Sequence, residues 1–260
     1  MTPDSYFIRT GPTTFAPTPH AIGAWSEEDY HFSPVAGLLV HAIEQFRAGD
    51  KNVDLQLSRV SFDILGRLPF AEVEIAIEVP RPGRTIELVQ ATASINGRAV
   101  ITARSWYLVK MGTADVAGLE IAPLPDPGDC PARDLTEMWG GGYIAQLEAR
   151  QASELRPGRG ATWLTSPNRL VKDEDPIDIA EFCARIDTAN GIAPRQRPEQ
   201  WMFPNVDLTV HLFRRPSGTW TGLDTTVYWG DSGVGVTSST LHDEDGPVGR
   251  AEQSLTIRKM

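Results

Sequence analysis

The stretch "SPVAGLLVHAIEQFRAG", residues 33 to 49, restricts the fold more than any other part of this chain. Val35, Leu38, Leu39, Ala42, Ile43 and Phe46 recur at helical spacing, with Ser33 as the expected N-cap, Pro34 at the first helical position and Gly49 as the stop. Apolar residues occupy nearly every side, so such a helix has to be enclosed by other structure. The residues that follow can enclose it. "NVDLQLSRVSFDIL", "AEVEIAIEV", "TIELVQATASI" and "AVITARSWYLV" read as strands, and in the second Val73, Ile75, Ile77 and Val79 alternate with Glu72, Glu74 and Glu78. Gly83 and the pair Asn96-Gly97 mark the tight turns between them. The pattern is a helix followed by an antiparallel meander.

It then begins again. Residues 112 to 136 carry four prolines and no sustained period, which predicts an irregular linker between an N-terminal unit, 1–111, and a C-terminal unit, 137–260. "GGYIAQLEARQAS" and "GRGATWLTS" look like strands. "DPIDIAEFCARIDTANG" predicts a second helix, capped by Asp175, with Ile179, Phe182, Cys183 and Ile186 on one face and Asn190-Gly191 closing it. Strands follow at "NVDLTVHLFRR", "TWTGLDTTVYWG", "GVGVTSSTLHD" and "GPVGRAEQSLTIR". In the last, Ala251, Leu255 and Ile257 share one face, and Gln253 falls among them. The halves also match in detail: "SRVSFDILGRLP" aligns with "LTVHLFRRP", and "SINGRAVITARSWYL" with "HDEDGPVGRAEQSL". A repeat of this length is a duplicated domain.

Charge removes some functions. With 34 acidic against 24 basic residues the net charge is -10, which repels phosphate backbones and anionic membrane surfaces, so neither nucleic acid nor membrane is an expected partner. No signal-like or spanning apolar run is present, and a cytoplasmic protein is the expectation. The two cysteines, Cys130 and Cys183, lack the spacing of a metal site or redox pair, and Cys183 reads as core packing. No metal or cofactor is implied.

A central helix gripped by a curved antiparallel sheet, twice in one α+β chain, resembles the double hotdog of the acyl-CoA thioesterase II family. The motifs carrying the resemblance are "NVDLTVHLFRRP", "ATWLTS" and "DEDGPVGRAEQSLTIR", and its specificity lies in their order and spacing. It implies hydrolysis of an acyl-CoA thioester to free acid and coenzyme A, by a water held between an Asp, a Gln and a hydroxyl residue of the second hotdog. Asp207 takes the Asp position and Gln253 the Gln position. The hydroxyl falls on Tyr228 where the family usually has threonine, and Thr226, two residues earlier on the same face, is the alternative. The oxyanion would be met at a helix N-terminus, near Ser33 to Val35 or near Asp175 to Ile177. Such chains usually pair further, so a homo-oligomer is expected.

The residues alone read more plainly. Alternation puts Asp207 on the face of Thr209 and His211, opposite Val206, Leu208, Val210 and Leu212, as a solvated strand-end carboxylate would be. Gln253 could be a core amide bridging strands. His211 reads as structural, "MWGGGYIAQ" as a turn or strand entry, and "EVPRPGR" as a solvated turn. "DYHFSPVAG" distantly resembles hotdog hydratases but lacks their Asp-x-Asn-Pro-x-x-His order. Two other functions therefore stand beside hydrolysis: a non-catalytic acyl-thioester binder or scaffold, and an enoyl-CoA hydratase.

Overall fold

The apolar stretch of residues 33 to 49 lies in α1, Phe32–Ala48, whose first two turns are buried on every side. Its N-cap is His31, two residues ahead of the expected Ser33: His31 is extended, and its side chain accepts from the Ser33 N–H. The computed structural model describes residues 4–49 and 54–260. Around α1 lie β1 (Ser5–Arg9), β2 (Thr14–Pro17), β3 (Leu55–Ile64), β4 (Val73–Arg81), β5 (Ile86–Ile95) and β6 (Arg98–Val109). Asn52 and Val53, read from sequence as the start of β3, lie outside the described residues. The second half contributes β7 (Ala132–Arg133), β8 (Glu148–Gln151), β9 (Arg159–Thr165), β10 (Arg169–Val171), α2 (Asp178–Ile186), α3 (Ala189–Ile192), β11 (Trp201–Met202), β12 (Asp207–Leu212), β13 (Thr221–Trp229), β14 (Val234–Asp243), β15 (Gly246–Thr256) and β16 (Arg258–Lys259).

Two details of the second half depart from the sequence pattern. Of "GGYIAQLEARQAS" only Glu148–Gln151 is strand, because a 3-10 turn at Ile144–Gln146 precedes it. The second helix begins at Asp178 with Ile177 as N-cap, not at Asp175, and stops at Ile186, short of Asn190-Gly191. The stop comes where the Asp187 side chain turns to Gln253 of its own half and the Thr188 hydroxyl turns to Ser33 of the other, and the short α3 then resumes.

The strands form one sheet in the order β10-β1-β2-β4-β5-β6-β3-β12-β15-β14-β13-β9-β8-β7, and β11 pairs with β16 apart from it. The halves join at β3 and β12, which are antiparallel with Val210 opposite Val60 and Leu208 opposite Phe62, all four buried. These are the two segments whose sequences match. The halves also join at the far end, where β1 runs parallel to β10. Glu174, just after β10, ties this seam together: it accepts from Arg9 Nε at 2.6 Å, His41 Nε2 lies at 2.8 Å, and Gln45 Nε2 donates at 2.6 Å. Burial alone would raise the Glu174 carboxyl, but these donors outweigh it and hold it down at about 2. The linker lies against the outside of the second half, where the Trp163 indole N–H donates to the Pro125 carbonyl at 2.8 Å. Cys183 is core, its thiol pushed up to about 12 by burial.

The two helices pack against each other in opposite directions. Ser33 approaches Thr188, Gly37 approaches Ala180 and Ala184, and His41 approaches Glu174. A Cβ on Gly37 would stand 2.5 Å from Ala184 Cβ and 2.9 Å from the Ala180 carbonyl oxygen, so glycine sets how closely the helices approach. Gly37→Ala is expected to lower stability by about 1–3 kcal/mol through overpacking, against which alanine's helix propensity offsets about 1 kcal/mol. One obstructing atom is backbone and cannot swing aside, so the net change is downward. A lower urea midpoint with an unchanged m-value checks it.

Candidate active site

Where α1 begins and α2 ends, the halves enclose a cavity of about 510 Å³, within the range of small-ligand sites. Its walls are mainly apolar, and Trp25, Phe32, Leu68, Leu135, Trp139 and Ile192 illustrate their character. Trp25 and Trp139 meet edge to face at 5.2 Å, and Trp25 meets Phe203 the same way at 5.3 Å. Trp139 is fixed by its indole N–H, which donates to the Gly191 carbonyl at 3.0 Å. A Cβ on Gly191 would press within 3.0 Å of that indole nitrogen. The run Gly140 to Gly142 also has a packing cause: side chains at Gly141 and Gly142 would collide with the backbone of Ile22, Gly23 and Pro19, in the loop that carries Trp25.

One carboxylate lies deep in this wall. Asp187, the C-cap of α2, is 6% exposed, and its Oδ1 accepts from Asn205 Nδ2 and from Gln253 Nε2, each at 2.7 Å. Gln253 Nε2 also reaches the Asp187 carbonyl at 3.3 Å. Among the described residues Oδ2 has no hydrogen-bond donor. Burial raises the Asp187 carboxyl to about 6, a rise the hydrogen bonds from Asn205 and Gln253 limit. Asp187 is thus ionised at neutral pH yet a stronger base than an ordinary aspartate.

His31 Nδ1 lies 3.8 Å from Asp187 Oδ2, but the two are not an ion pair. Burial pushes His31 down to about 3, so its ring is neutral, and its Nδ1 lone pair accepts from the Ser33 N–H at 3.1 Å. The proton assigned by this bond is on Nε2. Tyr143 stacks on the His31 ring at 4.3 Å and donates to the Ala184 carbonyl at 2.7 Å, which fixes the ring against the helix pair. Phe32, first residue of α1, lines the same cavity, and the N–H groups of a first helical turn have no intrahelical acceptor. Of the two helix starts considered from sequence, that of α1 borders the cavity and that of α2 does not.

The four residues drawn from the resemblance separate. Asp207 is opposite Asp63, on the outer face of the sheet, and its Oδ1 accepts from the Ser254 N–H at 2.6 Å. Tyr228 is 58% exposed on that outer face, opposite Val236. Thr226 shares the face, between Ser238 and Arg159. Gln253 faces inward opposite Thr237, both 1% exposed. Asp207 and Gln253 therefore do not converge on one water: they lie on opposite sides of the sheet, because side chains alternate and the inward position of β12 at this level is Leu208. Gln253 meets Asp187 instead. Asp207 touches the site only through its backbone carbonyl, which accepts from Asn205 Nδ2 at 3.0 Å.

Neither Asp187 nor Asn205 belongs to a motif that the sequence pattern singles out. A signal for Asp187 was present: it stands four residues after Cys183, on the apolar stripe of the second helix, where a carboxylate has no reason to be unless it is held. A raised acid makes a definite claim about stability. The folded state holds the Asp187 proton more tightly than the unfolded chain, so the contribution of this one group to stability is greatest below about pH 4 and is lost as pH rises from about 4 to about 6. Asp187→Asn keeps an oxygen for both donors and removes this loss. Above pH 7 the variant is expected to be more stable than the wild type by on the order of 3 kcal/mol, the gap closing below about pH 4. Urea unfolding of both proteins at pH 4 and pH 8 checks it.

The profile of an acyl-CoA thioesterase N-terminal domain matches residues 22–108, and that of an acyl-CoA thioesterase C-terminal domain matches residues 127–257. A search of curated protein sequences returned no match. Among solved structures, the chain is similar to a tesB protein of Mycobacterium avium subs paratuberculosis, at 15% identity and TM-score 0.69, over 97% of this chain and 96% of that one. It is similar to the acyl-CoA thioesterase II TesB2 of Mycobacterium marinum, at 12% identity and TM-score 0.64, over 98% and 96%. It is also similar to a conserved protein with hot dog fold from Alicyclobacillus acidocaldarius, at 13% identity and TM-score 0.75, over 98% and 97%. At such identities the likeness is one of fold. With both domain profiles matched in order along the chain, this protein belongs to the acyl-CoA thioesterase family and has the double-hotdog fold.

Proposed function

We propose that this protein hydrolyses acyl-CoA thioesters with Asp187 as the general base. The observation that carries the reading is a buried carboxylate with one oxygen bound and one free, set in an apolar wall beside the start of α1. Asp187 Oδ2 takes a proton from a water as its oxygen bonds to the thioester carbon, and negative charge builds on the carbonyl oxygen. The α1 N-terminus, with the Phe32 N–H and the helix dipole, supplies the complementary charge. The C–S bond then breaks, and the proton held by Asp187 passes to the departing thiolate. A thiol of pKa about 8.5 leaves readily, so a strong acid is unnecessary. His31, neutral, offers an Nε2–H as a further donor.

Gln253 and Asn205 act on this reading as positioning residues, donating to Oδ1 and so directing Oδ2 toward the cavity. Asp207, Tyr228 and Thr226 have no part in the chemistry. A second reading rests on the closeness of the two side chains, His31 Nδ1 lying 3.8 Å from Asp187 Oδ2: the Nε2–H of the same ring as acid and Asp187 as base could add water across an enoyl thioester. Loss of enoyl absorbance without thiol release would identify it.

Free thiol released from acyl-CoA of several chain lengths tests the main reading. Asp187→Asn is expected to lower kcat/KM by about 10²–10⁴, the usual worth of a positioned base. The wild-type acid limb is expected near pH 6, and Gln253→Ala should move it upward, because a donor to the ionised form is lost. Asp207→Asn should leave the rate unchanged. Equal activity of the wild type and Asp187→Asn would refute the assignment.

A further inference from the structure

The cavity has four charged side chains in its lining, Asp29, Arg67, Asp187 and Arg258, with His31 neutral. Two cancel. Arg67 donates to Asp29 Oδ2 from Nε at 3.1 Å and from Nη2 at 2.9 Å, with Glu28 a further 3.7 Å contact. That leaves Asp187 at depth and Arg258 outside. Arg258 is exposed on β16, opposite Met202, and its one hydrogen-bonding contact among the described residues is Nη2 to Met202 Sδ at 3.5 Å. No described carboxylate lies within ion-pair distance of it, and it is not among the groups that shift Asp187. In a chain of net charge -10, an uncompensated guanidinium in the lining of this apolar cavity runs against the overall field.

We infer that Arg258 is a recognition site for a phosphate on the thiol carrier of the substrate. The inference rests on the hydrolysis proposed above only for the identity of the thioester. A molecule whose acyl end enters the apolar cavity and whose thioester stops at Asp187 leaves its carrier arm to exit past the rim, where Arg258 presents its fork of donors. Planar guanidinium donors suit phosphate oxygens, and the sulfur now facing Nη2 is a weak acceptor that an anion displaces readily. The chemistry recognised is a phosphodiester or pyrophosphate attached to pantetheine. It is shared by coenzyme A and by the phosphopantetheine arm of a carrier protein.

Binding of thioethers, which cannot be hydrolysed, separates this inference from the question of catalysis. S-decyl-coenzyme A, S-decyl-4′-phosphopantetheine and S-decyl-pantetheine would be titrated by calorimetry into the wild type, Arg258→Gln and Arg258→Lys. Arg258→Gln is expected to weaken S-decyl-coenzyme A about tenfold, the loss of one charge-assisted contact, and to leave S-decyl-pantetheine unchanged. Arg258→Lys should recover part of the loss, and the penalty should shrink as salt rises. If 4′-phosphopantetheine shows the same penalty, the phosphate next to pantetheine is the one read, and either carrier qualifies. If only the coenzyme A derivative does, the recognised phosphate belongs to the nucleotide end. Equal effects on the phosphorylated and unphosphorylated thioethers, or none on any, would overturn the inference. Wild-type thiol release from decanoyl-coenzyme A, assayed in parallel, reports on hydrolysis alone.

Discussion

The site exists because two helices that run in opposite directions are allowed to touch. Gly37 and Ala184 remove the side chains that would hold α1 and α2 apart, and the antiparallel arrangement sets the start of one beside the end of the other. Asp187 is poorly placed by its own helix, since a carboxylate at a C-terminus meets the negative end of the dipole. The start of α1 answers with the opposite sign. A looser crossing would separate His31 and Phe32 from Asp187 and let water fill the gap between them.

Keeping an ionised group in that wall is a local sacrifice of stability. Asn205 and Gln253 limit it, each giving an N–H to the same oxygen, and the sheet supplies both from positions already fixed by packing. Sites that need a group out of its preferred protonation state often carry such a burden, which the remaining core offsets. Here the core is extensive and continuous, running from Phe7 and Phe15 through α1 to Leu208 and Val248.

The fold was open to reading because both periods are strong: the all-round apolar helix and the alternating strands recur, and the matched segments of β3 and β12 turn out to be the pair that joins the halves. The site was legible only in part. Alternation placed Gln253 inward and Asp207 outward, and the structure agrees on both. The resemblance assigned Asp207 to the catalytic water by motif order, and order along a strand does not report facing when the neighbouring residue, Leu208, fills the inward position. Tyr228 and Thr226 share that offset. Asp187 was hidden because its partners, Asn205 and Gln253, are 18 and 66 residues away in sequence, a convergence no local pattern reports. The helix starts also differ: α1 is capped by His31, whose ring accepts from the Ser33 N–H, and α2 begins after Ile177, which makes no side-chain cap bond, rather than at Ser33 and Asp175.

The pairing of β1 with β10 bears on how the chain comes into being. Ser5 sits opposite Arg169 and Phe7 opposite Val171, so β1 has a partner that leaves the ribosome more than 160 residues later. Without the second half both edges of the N-terminal sheet are bare, β1 lacking β10 and β3 lacking β12, and Arg9, His41 and Gln45 lack the acid that gathers them. The edges of the first hotdog are therefore closed only by strands of the second, and unpaired edges of this kind are where wrong strand pairing begins.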